Sequence, residues 1–200
     1  MWADSVSCAA RPTRLIKLTR YKSARRALHL LLVLCCVAPW AQAAWAEEKL
    51  GHDLTPLAKP VPAPAFVLKD MDDNSYSFAD YSGKVVLLNF WATWCPPCRR
   101  EMPSMQRLHQ KLNSGTFAVV AINQMETPDH VFAFTGQLAV DPSFPILFDP
   151  DSNTANAYKV KGLPTTYLID KHGMVRYRAI GGREFDHPDV IKLIQQLIDE

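Results

Sequence analysis

The run VVLLNF, Val85 to Phe90, leads straight into NFWATWCPPCRREMP, Asn89 to Pro103. A strand apolar at nearly every position has no face to give to water, so it belongs in the middle of a sheet covered on both sides. Just beyond it, Met102, Met105, Leu108 and Leu112 recur at helical spacing in PPCRREMPSMQRLHQKL. Pro96 and Pro97 suit the first turn of that helix, where a missing amide donor costs nothing. Two cysteines, Cys95 and Cys98, therefore stand where a buried strand hands over to a helix.

The same alternation continues down the chain. FAVVAIN and FPILFD read as apolar strands, and TPDHVFAFTGQL as a helix opened by Thr127 with Pro128 at its first position. SNTANAYKV reads as a short helix, and TTYLID and VRYRAIG as strands joined at KHG. PDVIKLIQQLI closes the chain as a helix with Val190, Ile191, Leu193, Ile194, Leu197 and Ile198 inward. Strands alternating with helices predict an α/β fold, a three-layer α/β/α sandwich. Upstream, FVLKD and SYSF are expected as short strands around the turn-rich MDDN, and the four prolines of TPLAKPVPAP as an extended tether.

The charge is unevenly spread. Seven basic residues and one acid precede Ala27, so +6 of the net +2 sits there and the remainder carries −4. A mildly acidic body has no electrostatic footprint for nucleic acid, and that class is set aside. The basic segment runs into an uncharged stretch, Ala27 to Ala46, with an apolar centre, the helix breaker Pro39 and the triplets Ala41-Gln42-Ala43 and Ala44-Trp45-Ala46. This is the order of a secretory signal, cut after Ala46 or, second, after Ala43; an uncleaved membrane anchor is the alternative. The long basic lead also allows a true start downstream of Met1. The expected organisation is a signal at 1–46, a Pro-rich linker at 47–64 and one domain at 65–200, exported to a periplasmic or other extracytoplasmic space.

Export narrows what the cysteines can be. Of five, Cys8, Cys35 and Cys36 lie in the signal, leaving the pair at 95 and 98. A staple closing so short a loop gains little from chain entropy. Tetrahedral zinc needs four ligands and c-type haem needs C-x-x-C-H, whereas Arg99 follows Cys98. His52, His109, His130, His172 and His187 show no ligand spacing and read as ordinary histidines. No metal site is expected. A dithiol/disulfide couple survives, with Cu(I) held by the same two soft sulfurs as the remaining alternative.

Together, NFWATWCPPCRREMP and KGLPTTYLID, Lys161 to Asp170, make the chain resemble the extracytoplasmic thioredoxin-like thiol-disulfide oxidoreductases of the TlpA/ResA type, over about Pro64 to Ile198. The resemblance implies a thioredoxin fold with an N-terminal β-hairpin and a central βα insertion. It also implies a cis-Pro164 beside the cysteines, with Leu163 and Thr165 flanking it, whose backbone holds an incoming peptide as an added strand. No cofactor beyond the Cys95–Cys98 disulfide is expected.

Position then assigns chemistry. Cys95, at the mouth of a helix, is expected to be the exposed thiolate nucleophile, and Cys98, one turn inside, the shielded resolving thiol. Trp94 is expected to shield the pair at the substrate-binding surface, and Trp91 to be core. Cytoplasmic reductants of the resembling fold carry a buried Asp where this chain has Asn89. Glu101 shares a helix face with Cys98 and is placed to accept its proton, a role the ResA-like relatives also suggest. The two prolines between the cysteines lack amides that could donate to the Cys95 sulfur. The thiolate is then only modestly stabilised and the pair favours reducing others. Expected partners are disulfide-containing exported proteins of the cytochrome c or copper-site maturation type and a membrane thiol donor of the DsbD/CcdA kind, with the chain acting as a monomer.

Overall fold

The computed structural model describes residues 49–112, 115–138 and 141–200, so the expected signal at 1–46 lies outside the described residues. Among these residues, eight strands form one sheet: β1 (Thr55–Pro62), β2 (Val67–Lys69), β3 (Ser75–Ser77), β4 (Val85–Trp91), β5 (Phe117–Gln124), β6 (Ile146–Asp149), β7 (Thr165–Ile169) and β8 (Met174–Ile180). Among the described residues, four α-helices accompany them: α1 (Pro96–Leu112), α2 (Pro128–Thr135), α3 (Asn153–Ala157) and α4 (Pro188–Asp199). The strand order is β1-β8-β7-β4-β5-β6-β2-β3.

β4 is buried along its whole length, as its sequence demands. It pairs in parallel with β5 from Val85↔Phe117 to Trp91↔Asn123, and antiparallel with β7 from Val86↔Ile169 to Phe90↔Thr165. Alternate side chains enter two cores. Val85, Leu87 and Trp91 pack with Met102, Met105 and Leu108 of α1, Val131 and Phe134 of α2, and Val190, Ile194 and Leu197 of α4. Val86, Leu88 and Phe90 pack on the opposite face with Phe66, Tyr81, Ala155 and Tyr158. That second layer is thinner, made of the five-residue α3, the 3-10 turn Phe78–Tyr81 and irregular chain. Asn89 lies on the α1 side by the same alternation.

The β2–β3 hairpin pairs from Val67↔Ser77 to Lys69↔Ser75. Its turn is fixed by Asp70 Oδ1, which accepts from the amides of Asp72 and Asn74, each at 2.9 Å. Lys69↔Phe148 joins the hairpin to β6, the strand delivered by the β5–α2–β6 insertion.

One expectation needs correction. Within the linker expected at 47–64, the described residues are not free chain: Thr55–Pro62 is an edge strand paired antiparallel with β8, through Thr55↔Arg178 and Pro56↔Tyr177 at one end and Val61↔Val175 and Pro62↔Met174 at the other. The register shifts between Pro56 and Val61. Proline cannot donate to a ladder, which bars it from central strands but not from an outer one, and β1 is outermost. Leu57 and Ala63 pack partly buried against the second core. The compact unit begins at Lys49, well before residue 65. Among the described residues, no helix is long and apolar enough to cross a membrane.

A tether would tolerate loss of its side chains. Leu57→Ala should instead lower stability by about 1 kcal/mol, in proportion to the apolar area it buries, read as a lower urea midpoint at unchanged slope. An unmoved midpoint would restore the tether.

Candidate active site

β4 ends at Trp91 and α1 starts at Pro96, so only Ala92, Thr93 and Trp94 connect the buried strand to Cys95. Cys95 and Cys98 are joined as a disulfide with Cα atoms 5.3 Å apart. In the closed disulfide both cysteines are buried, Cys95 at 3% exposure and Cys98 at none. The Cys95 amide donates to Ala92 O and its carbonyl accepts from the Arg99 amide, which locks the cysteine into the turn that opens the helix.

The connector is held from below by a residue the sequence reading missed. Glu126, just past β5, accepts from the Thr93 amide at 2.7 Å, from the Thr93 hydroxyl in a very short contact, and from Asn123 Nδ2 at 2.8 Å. Its signal in the sequence was Asn123 and Glu126 clustered at the end of an apolar strand, which becomes meaningful once the parallel pairing of β4 and β5 sets them beside Thr93. Trp94, expected to shield the pair, is 61% exposed, while Trp91 is fully buried in the core. Met125 and Phe132 are exposed as well. Trp94 and Met125 follow the parallel neighbours β4 and β5 and so leave the sheet at the same end.

Glu101 is no surface acid. It is fully buried, accepting at 2.8 Å from Asn89 Nδ2 on Oε1 and at 3.0 Å from the Arg183 amide on Oε2. Asn89 Nδ2 also donates to Thr166 Oγ1 at 2.9 Å, so a polar line runs from β7 through β4 to α1. Burial pushes the Glu101 carboxyl up to about 8 from 4.5, against the pull of the Asn89 and Arg183 hydrogen bonds. Cys98, three residues earlier on α1 and equally buried, shares its helix face. Pro103 leaves α1 unbroken through to Leu112.

The loop that supplies the Arg183 amide is fastened on several sides. Ser104 Oγ accepts from the Phe185 amide at 3.0 Å and donates to Glu101 O at 2.7 Å. Gly51 O accepts from the Glu184 amide and Asp53 O from Arg183 Nε. At Gly182 an added Cβ would fall 2.9 Å from the Leu50 side chain and 3.1 Å from Pro97 O, so only glycine lets this loop approach the turn between the cysteines.

The Leu163-Pro164 peptide bond is cis, as the resemblance implied. Phe90↔Thr165 is the last pair of the β4–β7 ladder, which sets Pro164 level with the end of β4 from which the cysteine turn departs. Pro164 O accepts from the Gly181 amide at 2.9 Å. Leu163 is half-buried. The Thr165 side chain is buried and donates to Gly162 O at 2.7 Å, so it is not presented to a partner. Sequence reading singled out Cys95, Cys98, Glu101 and Pro164. It missed Glu126, Arg183 and Gly182, which folding brings to the site from two separate loops, one after β5 and one before α4.

Residues 61–178 match the AhpC/TSA family. The chain is 39% identical over 151 residues to the thiol-disulfide oxidoreductase ResA of Geobacillus thermodenitrificans, covering 76% of this chain and 83% of that one. It is 44% identical over 124 residues to the thioredoxin-like protein YneN of Bacillus subtilis, covering 60% of this chain and 69% of the relative. Among solved structures, a thiol:disulfide interchange protein of the thioredoxin family from Chlorobium tepidum superimposes with a TM-score of 0.60 at 30% identity, over 69% of this chain and 98% of that one.

A carboxyl held at about 8 when folded and 4.5 when unfolded destabilises the fold as pH climbs between those values, because the unfolded chain releases the proton first. Glu101→Gln keeps the shape and removes the titration. The variant should be more stable than the parent at neutral pH, and the gap in Tm should widen from pH 5 to pH 8. A gap independent of pH would mean the carboxyl is not raised.

Proposed function

The chain belongs to the AhpC/TSA family and is a thiol-disulfide oxidoreductase, and from that premise we propose that it works as a reductase of disulfides in particular exported proteins, of the cytochrome c or copper-site maturation type. Its workplace is the periplasm or another extracytoplasmic space, and a membrane thiol donor of the DsbD/CcdA kind re-reduces it. The Cys95–Cys98 pair is the whole redox equipment, with no further cofactor.

The observation that carries the reading is the buried Glu101 carboxyl, one turn beyond Cys98 and seated between Asn89 and the Arg183 amide. In the reduced protein the Cys95 thiolate attacks a substrate disulfide. A Cys95–substrate bond forms, the substrate S–S bond breaks, and one substrate sulfur leaves as a thiolate that takes a proton from solvent. Cys98 then passes its thiol proton to ionised Glu101 while its sulfur attacks Cys95. The Cys95–Cys98 disulfide forms and the second substrate sulfur is released. The substrate gains two electrons and the pair loses them. Trp94 and Met125 supply the apolar contact for the incoming chain, and the backbone around cis-Pro164 its strand-like seat. Copper has less to hold it: Met102 and Met105, the methionines nearest the pair in sequence, are both buried in the core.

Cys98→Ala in the exporting cell should accumulate mixed disulfides on Cys95 with a small set of proteins. An absence of captured partners would defeat the specific-reductase reading. Redox titration should place the pair well below the ~−120 mV of strong oxidants of the DsbA kind; a value near that end would reverse the direction of electron flow.

Resolution should also accelerate with pH and level off above about 8, as Glu101 ionises. Glu101→Gln should slow release of the mixed disulfide on the order of 100-fold and remove that inflection, while the first attack by Cys95 stays close to the parent rate. Unchanged release kinetics would leave Glu101 a structural residue.

A further inference from the structure

His52 and His187 look unrelated in the sequence, yet folding brings them face to face with ring centroids 3.7 Å apart and planes 13° from parallel. Asp189 lies across both: its Oδ2 is 3.5 Å from His52 Nε2 and 3.4 Å from His187 Nδ1. We propose that His52, His187 and Asp189 bind a divalent ion of the zinc class, which clips the segment around His52 to the start of α4.

The donor set is of the right kind, because two imidazoles and a carboxylate suit borderline divalent ions and leave the fourth position to solvent. The spacing is right too. Ligands at ~2.0–2.1 Å from a tetrahedral zinc stand about 3.3 Å from one another, against the 3.5 and 3.4 Å found here. One ligand atom from each of the three residues lies within 4.8 Å of the others. His52 Nε2 and His187 Nδ1 both approach Asp189 Oδ2 and so lie on one side of the stack; the in-plane lone pairs of stacked rings run nearly parallel, so the two exposed side chains turn out of the stack to aim both nitrogens at one ion. Both histidine side chains are more than a third exposed, so an ion can enter from solvent. His187 Nδ1 now accepts from the Asp189 amide at 3.3 Å as the cap of α4, and an ion would take over that lone pair. The positive end of α4 opposes a cation, and the Asp189 carboxylate offsets it. Arg183, in the loop before α4, is turned onto Asp53 O, Gly181 O and Gly182 O.

The consequence reaches the redox pair. The segment that carries His52 also carries Leu50, which packs on Gly182 beside Pro97, and Gly51, which receives the Glu184 amide next to the Arg183 amide that seats Glu101. An ion at the clip fastens this segment against the loop from outside the active site.

The test uses the full chain with its disulfide closed, so that Cys95 and Cys98 cannot contribute, and compares it with His52→Ala by equilibrium dialysis against zinc. Ligands elsewhere in the chain are common to both proteins and cancel in the difference. The parent should bind one more equivalent than the variant, and zinc should raise the Tm of the parent but not of His52→Ala, with reversal by chelator. Asp189→Asn, which keeps the shape at the helix start, should weaken the extra equivalent at least tenfold. Equal zinc content in parent and His52→Ala overturns the proposal, as does a zinc-dependent Tm rise that is the same in both.

Discussion

A carboxyl group shut away from the protein surface organises this protein. Glu101 sits on the core-facing side of α1 and is satisfied by an amide side chain from the central strand and a backbone amide from the loop before α4. Burying a carboxyl is unfavourable unless it is hydrogen-bonded or protonated, and here both devices are in play. Asn89 makes this possible. An aspartate at that position would set a second acid against Glu101, whereas the amide donates to it and to Thr166 together.

The loops around the cysteines can be understood as supports for that group and for the turn beside it. Glu126 holds Thr93, Ser104 holds Phe185, and Gly182 is small enough to lie against Pro97. The disulfide is therefore carried on the ends of rigid elements, β4 and α1, while its surroundings are tied by side chain to backbone hydrogen bonds. Such a site can exchange a disulfide with little rearrangement of the sheet. The exposed Trp94 and Met125 contrast with it: they leave apolar surface uncovered at the end of the sheet that carries the reactive pair.

The chain before the hairpin is also part of the structure. The prolines of Thr55–Pro62 disguised an edge strand, because proline frequency reads as a tether when the register of the neighbouring strand is unknown. Proline's missing donor is harmful only where a strand has two partners, and which strand has one is a property of the whole sheet. The same segment brings His52 to His187 and Leu50 to the cysteine turn.

The sequence by itself determined the core elements and the reactive pair. The uninterrupted apolar run of β4 could only be a central strand, the spacing of Met102, Met105 and Leu108 could only bury one face of α1, and both constraints are local and periodic. Cys95, Cys98 and Glu101 were legible for the same reason, since their relation is fixed by a single helical turn. Tertiary structure alone decided that Glu101 is buried and raised, that Trp94 faces outward, that β1 is an edge and that His52 meets His187. Each of these depends on contacts between segments far apart in the chain, and no local pattern encodes them: burial and pKa are set by what the neighbouring elements bring, not by the residue that responds.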